Sequence, residues 1–427
     1  MLVTKYPLID SCEHELSNWL ISGGIDTTKL VMNTLPGGER QLVAACPIAA
    51  GENILTLPES HLMSAAKAKQ SALGKKISEA GLNHHSAHSF LAAYILQERQ
   101  SKDSFWSLYL DALPADFNHV PLFYSADELL LLQSSPVVEM ALNRRFSLEQ
   151  DYNQLKTIDD FKDYTLLDYM WARTAINTRC FSLNGDVVMA PFMDFANHES
   201  HPNAVWGAGE DNASLELVCR EDIAPGEEVS ISYGSKSNRR FYGSYGFVRE
   251  DDAFNCALIT LALNPGDPLF NEKMNLLGIG NASLDFDIGA NEEHGFLQVM
   301  KFLRISTASQ LQTDDSFYDH PQTKVSELVA LEAFLSGARQ MLALYDLPVS
   351  SAAEATISAM NRENSRKFIA QEKQTLNSYV LLASTAITLL THGNSLQYLK
   401  QDIETNYQAD LLALVEAPAQ TNEAEEE

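Results

Sequence analysis

APGEEVSISYGSKSNRRFYGSYGF, residues 224–247, begins thirty residues after the start of DFANH, residues 194–198. Within the longer stretch, EVSISY (228–233) alternates. Val229, Ile231 and Tyr233 face one way, Ser230 and Ser232 the other, which is the period of a strand. Ala224-Pro225-Gly226 precedes it and Gly234 follows, so the segment reads turn, strand, glycine. The shorter stretch lies in PFMDFANHESHPN (191–203), which crowds two histidines, an Asp and a Glu into thirteen residues. That composition raises three possibilities: a metal site, a catalytic base, or neither.

A metal is not expected. A zinc-protease helix needs His at i and i+4 with Glu beside the first. His198-Glu199-Ser200-His201 has a spacing of three, and Pro202 ends any helix there. In NHHSAH (83–88), His84 and His88 are four apart, but no carboxylate ligand stands beside them, and they read as a solvated helix start. The five cysteines, at 12, 46, 180, 219 and 256, form no CxxC pair, so a structural zinc is not expected either. GxSxG, GxGxxG and Walker signatures are absent, and Gly23-Gly24 and Gly37-Gly38 read as turns.

Composition narrows the class. The 427 residues suggest two domains. Asp and Glu outnumber Lys and Arg 57 to 30, a formal charge of -27. Such a chain is repelled by phosphate backbones, which argues against nucleic acid, and suits a basic protein segment as partner. Much of the charge serves solubility. No apolar run is long enough to span a membrane. MLVTKYPLIDSCEHEL lacks the basic and apolar regions of a secretory signal. The odd cysteine count fits reduced thiols, so an intracellular, cytoplasmic location is expected, with the nucleus open in a eukaryote. A monomer is the default expectation.

Along the chain, RQLVAACPIAAGENILTL (40–57) reads as two short strands about a turn at Ala50-Gly51-Glu52. Residues 64–164 read mainly as helix, 185–190 and 213–219 as strands, and the chain from about 255 as helical, with VSELVALEAFLSGARQMLALY (325–345) carrying a helical apolar stripe.

At this point the sequence resembles the SET-domain protein methyltransferases, in the branch of the Rubisco large-subunit lysine methyltransferase. That branch has a D-x-x-N-H segment, a strand of the form G-E-x-x-x-x-x-Y, then K/R-S-N and Y-G-F. Here these are Asp194, Asn197-His198, Gly226-Glu227, Tyr233, Lys236-Ser237-Asn238 and Tyr245-Gly246-Phe247. WARTAINTRCF (171–181) is similar to the branch's W-A-x-x-x-V-x-S-R-x-F helix. FWSLYLDALP (105–114) with PLFYSADELLLLQSS (121–135) looks like the insert that splits its SET domain. DPLFNEKMNLLGIGNASLDFDIG (267–289) and GFLQVMKFLRI (295–305) look like its C-terminal substrate-binding domain. Each piece is weak alone, and four in the right order are specific.

The resemblance implies an α+β fold: a SET domain at 1–254 with a helical insertion at about 64–164, an all-helical substrate-binding domain at 255–418, and an acidic disordered tail at 419–427. It implies S-adenosylmethionine as cofactor and a protein lysine as acceptor. Tyr233 becomes the catalytic tyrosine. Asn197 and His198 hold the donor, and Arg179 meets its carboxylate. Phe181, Asp194 and Tyr245 line the acceptor channel. The family's actin-histidine methyltransferases carry Asn where this chain has Phe181, and an apolar wall favours lysine over imidazole. One departure stands out. In PGGERQLVA (36–44), Glu39 and Gln41 replace the glycines of a Gly-x-Gly turn that cradles the donor. Gly38, Glu39 and Arg40 remain candidate donor contacts. Two alternatives stay open: a non-catalytic peptide-binding scaffold with a decayed donor site, and a histidine or N-terminal amine acceptor.

Overall fold

The computed structural model describes residues 11–35, 38–132, 135–210, 212–250, 255–289, 293–346, 357–392 and 405–416. The expected tail at 419–427 and residue Gly37 lie outside them. The chain forms two compact units. The first comprises residues 1–123, 140–236 and 243–246; the second comprises 124–139, 237–242 and 247–427. The expected division at residue 254 therefore differs from the packing, which assigns part of the helical insertion and part of the SNRRFYGSYGF stretch to the second unit.

The first unit is built from short strands in three small sheets. Its strands are β1 (Leu30–Thr34), β2 (Arg40–Ala44), β3 (Asn53–Pro58), β4 (Met63–Ser64), β5 (Cys180–Leu183), β6 (Asp186–Met189), β7 (Asn197–His198), β8 (Ala204–Ala208), β9 (Ser214–Cys219) and β10 (Glu228–Ile231). The sheet orders are β1-β2-β10-β7, β3-β9-β8 and β4-β6-β5. In the first sheet β10 lies antiparallel to β2 and parallel to β7, with Ser230 opposite Asn197 and Ile231 opposite His198. The two stretches that opened the reading are thus hydrogen-bonded neighbours. Leu42, Val229 and Ile231 are buried in one apolar core with residues such as Leu55, Phe90 and Trp171 from the other sheets and the inserted helices.

The helix Leu166–Arg179 shows how sequence positions the site. Thr165 and Asp168 form a capping box at its start, Asp168 Oδ2 accepting from Thr165 N at 2.8 Å. Arg179 ends its last turn, and the chain runs directly into β5 with Phe181.

The second unit corrects one expectation. It is not all helical: β11 (Cys256–Ala262) and β12 (Ser283–Gly289) form an antiparallel hairpin with Ile259 opposite Phe286. The signal was present in SLDFDIG, where Leu284, Phe286 and Ile288 alternate with polar residues. The remaining elements include long helices at Lys324–Leu344 and Ala359–His392. They share a core with the hairpin through Ala257, Ile259 and Ile288.

Candidate active site

Asp194 sits on a 3-10 turn, Met193–Phe195, entered through a left-handed residue, Phe192, at φ 73°. A bulky side chain rarely adopts that conformation. Burial of the Phe192 ring and a bond from Asp194 N to Ala190 O at 3.0 Å hold it there. The Asp194 carboxylate is fully enclosed. Tyr109 donates its hydroxyl to Oδ2 at 2.9 Å, Arg179 Nη1 lies 3.6 Å from Oδ2, and the same Nη1 donates to the Asp194 backbone carbonyl at 2.9 Å. Burial pushes this carboxyl up to about 6, against the pull of Arg179 and Tyr109. Asp194 Oδ1 and Arg179 Nε are both buried without a hydrogen-bond partner. Two guanidiniums lie over the Phe195 ring, Arg40 at 4.8 Å and Arg179 at 4.7 Å from its centroid.

Tyr233 follows β10, two residues beyond its last paired position. Its hydroxyl donates to Ala196 O at 2.9 Å, and its backbone N–H donates to His198 Nδ1 at 3.1 Å. Its ring stacks with His198, at 5.3 Å, and with Tyr245, at 5.2 Å. Burial holds the Tyr233 phenol well above its usual range and pushes Tyr245 up to about 12, so both stay protonated at neutral pH. Arg179, Phe181, Asp194, Trp206, Tyr233 and Tyr245 line one cavity of about 490 Å³. Phe181 meets Trp206 edge-on at 5.0 Å. Lys236 also lines it, its ammonium hydrogen-bonded to the Tyr233 carbonyl and 6.0 Å from the Tyr245 ring.

On the far side of Phe195, Asn197 Nδ2 donates to Arg40 O at 3.0 Å and to Glu228 Oε1 at 2.8 Å. Burial, with Glu199 and Glu39 nearby, raises the Glu228 carboxyl above its usual range although Asn197 lowers it. Leu35, Gly38 and Glu39 lie between β1 and β2. Leu35 N donates to Glu39 O at 2.7 Å and Gly38 N to Leu35 O at 2.8 Å, with Gly38 at φ 84°. Gly38 takes the position that needs a left-handed residue, and Glu39 is exposed beside it.

The SET-domain family model matches residues 39–234, the span that holds most of this geometry. The chain is 27% identical over 313 residues to the actin-histidine N-methyltransferase of Xenopus tropicalis, covering 68% of this chain and 53% of that one. The Homo sapiens protein of the same name is 26% identical over 313 residues, covering 68% and 52%. The chain spans about half the length of these relatives. Among solved structures, the SET domain of LSMT bound to lysine and AdoHcy superposes with a TM-score of 0.76 at 20% identity, over 90% of this chain and 94% of that one. Rubisco LSMT bound to AdoMet gives 0.75 at 20% identity, over 95% and 100%. These likenesses carry the fold.

Within the matched span, Arg179, Phe181, Asp194 and Tyr233 come together around the cavity, joined by Tyr245 from just beyond it. Asn197, His198 and Arg40 are not among the lining residues: Asn197 bonds the Arg40 carbonyl, His198 stacks on Tyr233, and Gly38 and Glu39 lie at the hairpin tip. Three participants escaped the sequence reading. Tyr109 lies 85 residues from Asp194 in sequence. Trp206 stands on β8, in a stretch with no motif. Glu228 is the third residue of GEE and was available to notice. In NHHSAH, His84 is exposed just before the helix Ala87–Gln100, but one histidine differs from expectation. His85 is buried, its Nδ1 3.6 Å from Asp151 Oδ1, and among the described residues no group of three or more His, Cys, Asp or Glu is placed to hold a metal.

Proposed function

We propose that this chain is an S-adenosylmethionine-dependent protein methyltransferase that transfers a methyl group to a lysine side-chain amine. One observation carries the reading: an aromatic-walled cavity in which Tyr233 presents a protonated hydroxyl beside the paired Arg179 and Asp194. The orphaned Arg179 Nε and Asp194 Oδ1 suit ligands that bring a carboxylate and an N–H group. Arg179 would hold the donor's carboxylate, with Arg40, Asn197, His198 and the Gly38–Glu39 tip beside it. When bound, the donor supplies an electrophilic sulfonium methyl.

The acceptor amine must enter neutral, although free lysine titrates near about 10.4. Apolar walls at Phe181, Trp206 and Tyr245 desolvate it, and the Arg179 and Lys236 charges repel its protonated form. Tyr233 and Tyr245 orient it for in-line attack. Their ring faces favour the methylated, cationic product. A basic substrate segment suits the -27 charge.

A histidine acceptor is the second reading, favoured by the names of the actin-histidine relatives. Phe181 speaks for lysine, because its ring offers an imidazole no hydrogen-bond partner. Calorimetric titration with S-adenosylmethionine, followed by amino-acid analysis of lysate protein labelled from tritiated donor, tests both. Saturable one-to-one binding and methyl-lysine are expected. Methyl-histidine would transfer the proposal to the second reading, and no binding at millimolar donor would leave the scaffold alternative.

A further inference from the structure

A smaller cavity of about 140 Å³ in the same unit adjoins the acceptor cavity, and Asn177 lines both. Met140, Arg144, Thr174 and Ser244 complete the part that matters. Arg144 projects from the helix Pro136–Leu155. Among the described residues its guanidinium has no hydrogen bond or ion pair. Asp151, the carboxylate whose charge acts on Arg144, is already engaged. Arg173 Nη1 donates to Asp151 Oδ2 at 2.9 Å, to Ser89 Oγ at 2.8 Å and to the Tyr169 hydroxyl at 2.8 Å. Two guanidiniums therefore face one carboxylate, in a chain of charge -27. Burial and Arg173 hold the Arg144 guanidinium below its usual range. A partly buried cation that shares one carboxylate with a second guanidinium gains from an incoming anion.

We propose that this pocket takes an oxyanion group, carboxylate or phosphate, from the same substrate segment that presents the acceptor amine. The inference rests on the acceptor reading of the neighbouring cavity. It makes the preferred acceptor a lysine flanked by an acidic residue, because a group reaching Arg144 past Asn177 is tied to a side chain in the larger cavity. The planar fork of arginine suits either oxyanion.

The test uses the full chain and fluorescent peptide pools with a central lysine. One flanking position at a time is Asp, Asn or phosphoserine. Peptide binding is read by anisotropy, and methyl transfer on the same peptides is read separately from tritiated donor. One flanking position should favour Asp over Asn about tenfold or more, as a charged hydrogen bond supplies. Arg144→Gln should bring that ratio to about one, and Arg144→Lys should retain part of it. A higher affinity for phosphoserine than for Asp at the same position identifies phosphate as the source. Equal affinity for Asp, Asn and phosphoserine in the wild type, or a ratio unmoved in Arg144→Gln, overturns the proposal. Titration of inorganic phosphate, following the arginine Nε–H resonances, supplies an arm independent of peptides. A saturable shift missing from Arg144→Gln, without any peptide preference, assigns the pocket to a free anion and overturns the substrate link. Acid-selective binding without methyl transfer leaves the pocket assignment standing and removes the enzyme reading. Methyl transfer without acid selectivity does the reverse.

Discussion

Tyr233 keeps its proton because burial disfavours the phenolate, so in the proposed reaction it would serve as a hydrogen-bond donor and not as a base. Tyr233→Phe should leave donor affinity near the wild-type value and cut methyl transfer by about 10²-fold or more, as expected for one pre-placed polar group. Calorimetry and a tritium assay check the two halves. Asp194 offers a stability readout. Its carboxyl moves from 3.8, the ordinary value of a free Asp side chain, to about 6 in the fold. The native state therefore binds the proton more tightly than the unfolded chain. Relative to Asp194→Asn, the wild type should be at its best below pH 4 and lose roughly 3 kcal/mol as pH rises through 6, at about 1.4 kcal/mol per unit. Urea melts of both proteins across that range measure it. At this scale the sequence was informative where chemistry clusters along the chain. Asp194, Asn197 and His198 lie within five residues. It was silent where the fold brings a partner from afar, as it does Tyr109 and Trp206.

Strand alternation, helix caps and turn residues were the legible elements. β10 and the helix ending at Arg179 lie close to where periodicity and motif put them. The β11–β12 hairpin was missed because its first strand, CALITLA, is a short apolar run without a turn signal inside it. The Gly-x-Gly substitution looked like damage in the sequence. In the structure the left-handed position of that turn is filled by Gly38, one residue earlier than Glu39. Gly246 supplies an element-scale prediction. It lies at φ 82°, and a Cβ there would come within 2.6 Å of the His119 carbonyl oxygen and 2.5 Å of its ring. The His119 ring in turn hydrogen-bonds the Tyr245 backbone. Gly246→Ala should destabilise the chain by about 2 kcal/mol or more, combining left-handed strain with backbone overlap. It should also raise the KM for peptide by displacing Tyr245, as denaturant melts and steady-state kinetics check.

At the scale of the molecule, the described residues form two separate apolar cores. The second is tied by a buried ion pair. Arg304 Nε donates to Glu327 Oε2 at 2.7 Å and Nη2 to Oε1 at 2.9 Å, while Nη1 reaches the Tyr318 and Asp319 carbonyls at 3.0 Å. The Tyr407 hydroxyl also donates to Glu327. Glu327→Gln should leave a buried guanidinium uncompensated and cost about 3–5 kcal/mol, read as a lowered denaturant midpoint. Donor affinity under native conditions should match the wild type, because none of these residues lines the site. What length and composition did not reveal was the order in which the chain visits its two cores.

That order has a consequence for synthesis on the ribosome. The second unit begins at residue 124 and the first is not finished until residue 246. A nascent chain therefore reaches residue 246 with segments 124–139 and 237–242 still waiting for most of their eventual partners. Domains usually fold as units, amino-terminal first, during translation at roughly 5–20 residues per second. Here the segment from 124 is exposed for the time taken to make the residues that complete its core. Splitting the gene at any single point between the two cores leaves one half missing a piece.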